Sequence, residues 1–423
     1  GIKTHEITST GASNEIGALG LAASATSITI DATTKIKTGA ITSAGAKSVT
    51  IKGAGAVDIG ALDTGFTTVD ASANSGGLTV TDGAAATVIT GSATAADSVN
   101  VGVLAKTKAI TLGDSTGDRI IFTDDTNYTT TAAQVSGAEI VRVAGTGASY
   151  DLTKLSGLTA VEVTGGTVTL NKASATQAAS ILANDDVTSI ATVLSDATGT
   201  SDVVGVTIDD ATATAAAVTV GAITAAGVET INITTGDTGV VHVVSALTSS
   251  TSAKTINISG TSALTLTDGT AAASGATFDG SNMTKSLIVG IGSGDKVIGG
   301  SGDDGVTMAF GALGNTTGFT GGAGDDTITL SGNAADMVDG DFALLDGVDN
   351  LVFASNSSLS ITAGGFAQAA IATVDENTDG LIDITATALT IASSVDAGAM
   401  TTAGVDVTMT IAPANGAAAE AAT

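Results

Sequence analysis

Residues 290–329 read Gly290-Ile-Gly-Ser-Gly-Asp-Lys-Val-Ile298, Gly299-Gly-Ser-Gly-Asp-Asp-Gly-Val-Thr307 and, after thirteen further residues, Gly321-Gly-Ala-Gly-Asp-Asp-Thr-Ile-Thr329. The second and third stretches fit the nonapeptide G-G-x-G-x-D-x-U-x, with U apolar, at every specified position. The first keeps the opening glycine, Asp295 and Val297, but carries Ile291 and Ser293 at the second and fourth positions. Glycines let the turn take backbone angles closed to other residues, so that carbonyl oxygens point inward. The apolar eighth residue then starts a short strand that packs inside a roll. Two such phrases make one coil, so turns 18 residues apart are expected to stack. The two full matches are 22 apart, which assigns about four extra residues to a loop within 308–320.

The sixth position explains the chemistry. An aspartate there offers carboxylate oxygens to a hard cation, and calcium accepts six to eight oxygens in loose geometry, many from backbone carbonyls. Magnesium demands a tighter octahedron. The expected ligands are Asp295, Asp303, Asp304, Asp325 and Asp326, with the turn glycines Gly299, Gly300, Gly302, Gly321, Gly322 and Gly324 supplying carbonyls; roughly one to three ions are expected. With Gly at 55 of 423 residues, chance supplies roughly a tenth of one full match, so two are specific. Gly113-Asp-Ser-Thr-Gly-Asp118 and Asp339-Gly-Asp341 are weaker candidates, each read as an isolated calcium turn. Gly91 to Val99 keeps the Asp97-to-Val99 spacing but has lost the inner glycines, and no metal is expected there. A second candidate is Asp375-Glu-Asn377-Thr-Asp379-Gly-Leu-Ile-Asp383, which resembles the first half of an EF-hand loop. Its twelfth position is Ala386, so the closing bidentate carboxylate is missing.

Around this stretch the chain alternates apolar and Thr/Ser residues, as in Ser27-Ile-Thr-Ile30, Ser48-Val-Thr-Ile51, Val168-Thr-Leu170 and Leu264-Thr-Leu266. Period-two alternation of β-branched residues reads as half-buried strands. The strand spacing suits a β-solenoid, a sandwich or a mixture of both, and the fold class expected is all-β, a β-solenoid or β-roll carrying calcium turns, with room for β-sandwich modules beside it. Four segments share a glycine leading into a strand with inward fifth and seventh positions: Gly137–Val143, Gly157–Val163, Gly227–Ile233 and Gly347–Phe353. Lys172 to Ala183 is expected to hold one short helix. Changes in texture suggest repeats over 1–135, a second β-repeat domain over 136–270, the calcium roll over 271–360, and a C-terminal β region with a frayed tail over 361–423.

Composition narrows the function classes. Formal net charge is −28 from 14 basic and 42 acidic residues, yet 43% of residues are hydrophobic, so the chain can bury a core. Trp and Cys are absent and aromatics are 2%, so the core is thin and aliphatic, and metal takes the place of disulfides as the staple. Nucleic acid and anionic membranes are repelled. No run of 18 strongly apolar residues suggests membrane insertion. The start has no apolar leader region, which reads as a processed product or fragment. Enzyme readings find little support. Gly113-Asp-Ser115-Thr-Gly117 matches a hydrolase elbow, but Asp118-Arg-Ile-Ile-Phe122 reads as a strand where a helix is required. Only His5 and His242 exist, and His242, in Val240-Val-His-Val-Val244, is expected to face solvent. No zinc, Walker or dinucleotide motif occurs.

With these residues in view, the sequence resembles the repeats-in-toxin superfamily, and within it the calcium-binding surface-layer proteins of Gram-negative bacteria. The nonapeptides carry the likeness over about 40 residues. Gly227-Val-Glu-Thr-Ile-Asn-Ile-Thr234 and Ala253-Lys-Thr-Ile-Asn-Ile-Ser-Gly260 extend it in texture. The resemblance implies a secreted, cell-surface, non-enzymatic protein exported through a type I channel. It also implies folding on external calcium and self-assembly into a lattice held on lipopolysaccharide or another anchoring partner. A calcium-rigidified adhesin or an extracellular filament subunit is the alternative. Two features depart from the family: the repeats are few, and no helix-rich anchoring domain is evident.

Overall fold

Alternation fixes which side of each strand is buried, and here it repeats coil after coil. The protein is described from a computed structural model covering residues 1–63, 65–82, 88–101, 109–210, 214–248, 254–269, 275–314, 317–331 and 337–353, and the strands 359–363, 371–376, 382–386, 394–395 and 408–411. The chain divides into two units, Gly1–Asp196 and Ala197–Thr423. In each, a strand pairs in parallel with the strand one coil on. The fold is a β-solenoid. Every strand pair among the described residues is parallel, so the antiparallel pairing that a sandwich needs does not occur there.

In the first unit, Thr4–Ser9, Ser27–Ala32, Ser48–Gly53 and Thr68–Asn74 stack as one sheet. Ile28, Val49 and Val69 fall in one register column, Ile30 and Ile51 in the next, and all five are fully buried. A second sheet runs through Asn14–Ile16, Ile36–Thr38, Val57–Ala61, Leu78–Asp82, Ser98–Val101, Arg119–Phe122, Ile140–Val143, Ala160–Val163 and Ile181–Ala183. Columns of like aliphatics close the interior, which is why so few aromatics suffice. Among the aromatics that are buried, Phe122, Tyr128 and Tyr150 form an edge-on cluster, with ring centroids 5.1 and 5.0 Å apart. Tyr128 reaches it from a short helix, Asp125–Thr131, inserted between two coils. The helix expected within Lys172–Ala183 is one turn, Ala175–Ala178, held by a capping box between Ser174 and Gln177.

In the second unit, Thr277–Met283, Lys296–Ile298, Gly318–Thr320 and Leu345–Asp346 stack on one side. Ala263–Leu266, Leu287–Ile291, Gly305–Ala309, Thr327–Ser331 and Val348–Phe353 stack on another. Successive nonapeptides, Gly290 and Gly299, therefore feed different sheets of one coil, as the motif requires. The expected 18-residue stacking is replaced by one of 22: Lys296 pairs with Gly318 and Gly305 with Thr327. A 3-10 turn at Phe310–Ala312 takes up the added length without breaking register. The shared glycine motif also holds. In Gly137, Gly157, Gly227 and Gly347 φ is positive, and the described fifth and seventh positions of each segment (Val141, Val143, Val161, Val163, Ile231, Ile233, Leu351) are buried.

His242 lies opposite to expectation. It is fully buried, and its Nδ1 accepts the Val218 N–H at 3.1 Å. Strand Val241–Val244 turns its even-numbered residues inward, so Val241 is the exposed member. An alternating strand of Val on both sides gives no hint of which face is which.

Candidate metal centre at the solenoid corners

A carboxylate stands where the chain turns into a strand, two residues before the first inward aliphatic. The pairs are Asp97 with Val99, Asp118 with Ile120, Glu139 with Val141, Asp202 with Val204, Glu229 with Ile231, Asp295 with Val297, Asp304 with Val306, Asp326 with Ile328 and Asp349 with Leu351. The motif's Asp-x-apolar ending is one case of this wider rule. Each coil is parallel to the last, so the N–H at its corner points along the stacking axis and needs an acceptor. The acid of the following coil supplies it.

At the nonapeptide corner, Asp304 Oδ1 accepts Leu287 N–H at 2.7 Å and Oδ2 accepts Gly300 N–H at 2.6 Å. Asp304 N–H donates to Asp326 Oδ1 at 2.7 Å, and Asp326 N–H to Asp349 Oδ2 at 2.8 Å. Outside this ladder, Asp303 and Asp325 are exposed one coil apart, with Asp325 N–H donating to Asp303 Oδ1 at 3.1 Å. Asp295 stands at a different corner, ahead of Lys296–Ile298, where its carboxylate takes the N–H groups of Gly275, Ala276 and Gly292, each at 3.0 Å. The structure thus brings Asp303, Asp304, Asp325 and Asp326 into stacked register and separates Asp295 from them. Burial raises the carboxyls of Asp295, Asp304 and Asp326 above their ordinary range, against the N–H bonds that lower them.

The turn glycines serve two ends. Gly322 and Gly324, at φ +110° and +133°, hold backbone angles that suit glycine. Gly299, Gly300 and Gly302 do not; there glycine is required for room, a Cβ on Gly300 meeting the Met283 carbonyl oxygen at 2.1 Å. Gly299 and Gly321 likewise press against Asp304 and Asp326 Oδ2.

The first unit repeats the device without the motif. Asp97 Oδ1 accepts Leu78 N–H and Oδ2 accepts Ser92 N–H, both at 2.7 Å. Asp97 N–H donates to Asp118 Oδ1 at 2.7 Å and Asp118 N–H to Glu139 Oε2 at 3.1 Å. Burial pushes Asp97 up to about 7 and Asp118 up to about 6. In the second unit Asp202 N–H donates to Glu229 Oε2 at 2.9 Å. Sequence reading passed over Asp202, Glu229, Glu139 and Asp349 as ligands or clips; the acid-x-aliphatic spacing, with acids at the third place of three of the four glycine segments, is the signal that identifies them.

Calcium fits these donors in kind. All are hard oxygens, and Asp326 Oδ2, Asp118 Oδ2 and Asp202 Oδ2 are buried without a hydrogen-bond partner. Among the described residues no three Asp, Glu or His side chains converge on a common point, so an ion here draws on carboxylates together with backbone carbonyls. Asn377 and Asp379 lie outside the described residues; Asp375 and Asp383 fall in Ile371–Glu376 and Ile382–Ala386, with side chains that do too. Asp341 lies in the turn Asp339–Phe342, and the Asp339 side chain is outside the described residues. Ser115 is half-buried and strand Arg119–Phe122 follows it where a helix is required, so no nucleophile elbow forms. No described helix is long and apolar enough to cross a membrane. No protein-family model and no curated protein matches the chain.

Proposed function

We propose that this is an extracellular structural protein whose β-solenoid is locked by calcium at its glycine-aspartate corners and which assembles with copies of itself into a surface lattice. One observation carries the reading: after Lys296 the chain has sixteen Asp and Glu and no Lys, Arg or His. Earlier in the chain, side chains balance the outer acids. Lys37 pairs in register between Glu15 and Asp58, Lys52 sits 3.0 Å from Asp31 and 3.6 Å from Glu6, and both arginines clasp Glu162 at 2.6 and 2.7 Å. Beyond residue 296 the stacked carboxylates have no cationic side chain of their own segment, so their counter-charge comes from solution. A hard dication suits carboxylates aligned with glycine carbonyls.

Asp303, Asp325 and Asp326, with carbonyls of the turn glycines, would hold the ion. Asp304 and Asp295 position the backbone. When bound, calcium supplies charge neutralisation within a coil stack and, at exposed carboxylates, between subunits that repel at net −28. Secretion, a type I export signal and anchoring to lipopolysaccharide belong to the same proposal and rest on the motif resemblance alone. Electron microscopy of the purified chain in millimolar calcium tests the reading. Ordered sheets that dissolve on chelation support it. Particles that stay monomeric in calcium favour an adhesin-like module, and arrays indifferent to chelator refute the mechanism.

A further inference from the structure

Buried unpaired carboxylate oxygens recur at corners that have no nonapeptide. Asp118 is fully buried; its Oδ1 takes the Asp97 N–H, and its Oδ2 has no partner. The next coil places Glu139 against it, one Oε held by the Asp118 N–H. Asp114 adds negative charge from the same turn, and it helps raise the Asp118 carboxyl behind burial and Glu139. Arg119, adjacent in sequence, is committed to Glu162 at 2.6 Å. A buried ionised oxygen without donor costs several kcal/mol, so it is neutralised by a proton or met by a cation. Asp326 Oδ2, at the second nonapeptide, is in the same condition, and there too the backbone N–H of the aspartate donates to the acid of the next coil.

We infer that the Asp118–Glu139 corner is a second divalent-cation site, of calcium's hard-oxygen class, built by the coil geometry and independent of the glycine-rich motif. Asp118 Oδ2 and the Glu139 carboxylate are its side-chain ligands, with corner carbonyls and water completing the shell. Asp97, whose two oxygens are both taken by backbone N–H groups, is a positioning residue. The inference shares its ion with the function proposed above but none of its residues, so each can fail without the other.

Calorimetric titration of the full chain with calcium decides it. In the double variant D304N/D326N the nonapeptide corners lose charge while Asn still offers an oxygen to the backbone. The expected result is that this variant still takes up calcium, at reduced stoichiometry, and that adding D118N removes one further equivalent. E139Q in the same background, which keeps an acceptor for the Asp118 N–H, is expected to weaken that remaining equivalent at least tenfold. It decides the matter if D118N fails to fold by circular dichroism. Loss of all uptake in D304N/D326N overturns this inference and leaves the proposed function standing. Residual uptake that neither D118N nor E139Q alters overturns it too. Absence of uptake by the parent chain overturns both.

Discussion

The corner of the first unit makes an unusual pH dependence. Asp97 has a folded value near 7 and Asp118 near 6, both raised by burial from 3.8. An acid whose value is raised in the folded state stabilises it below its unfolded value, and that stability is lost as pH rises through the folded value. Without divalent cations the first unit should therefore weaken between pH 5 and pH 8. At about 1.4 kcal/mol per tenfold change in proton affinity, the loss has a ceiling of about 3 kcal/mol for Asp97 and about 1.5 kcal/mol for Asp118. Water at the rim of the corner screens these charges and brings the sum to about 2 kcal/mol. For a unit of this length that lowers the melting midpoint by roughly 6 °C. Calorimetric melts in chelator at the two pH values read it directly. General repulsion at net −28 acts in the same direction, so the discriminating chain is Asp97→Asn. It is less stable at every pH because its amide faces the Ser92 N–H, but its change between pH 5 and pH 8 should fall to about half the parent's. An Asp97→Asn slope equal to the parent's refutes the reasoning.

Other perturbations test the same architecture. Gly300→Ala drives a Cβ onto the Met283 carbonyl and should cost about 2–3 kcal/mol in denaturant unfolding, because a neighbouring coil's backbone must move. His242→Ala empties a fully buried site and orphans the Val218 N–H; about 3 kcal/mol of stability should be lost. Glu162→Ala leaves Arg119 and Arg142 facing each other across a half-buried patch. It should cost about 1–2 kcal/mol, more at low salt than at high, read from urea midpoints at two ionic strengths.

The strands and the parallel roll were legible because Val, Ile and Thr alternate with period two, and because a nine-residue phrase leaves time for one turn and one strand only. The stacking of the two full nonapeptides was legible too, though its 22-residue pitch depends on how Phe310–Ala312 folds the surplus, which no motif encodes. What stayed hidden is instructive. Asp97 shares with Asp304 only the spacing to the following valine, its segment having lost the inner glycines, yet the two accept matching N–H groups on preceding coils. The shared requirement is a backbone donor left by parallel stacking, and it emerges only once coils are superposed. His242 was misplaced for a similar reason: with valine on both faces, the strand's own pattern leaves the inward side open, and the neighbouring coil's Val218 N–H decides it. The acids at 139, 229 and 349 were visible as a repeated letter without a role.

The claim beneath the proposed function is that stacked corner carboxylates after Lys296 take their counter-charge from a dication. The most direct measurement is thermal unfolding of the full chain at pH 7.5 in millimolar calcium and in chelator. At a thousandfold excess over the dissociation constant, bound calcium stabilises by about 4 kcal/mol per site, so a midpoint higher by roughly 8 °C or more is expected, and in D304N/D326N the shift should shrink to what the Asp118–Glu139 corner still supplies. Identical midpoints in calcium and chelator would contradict the account.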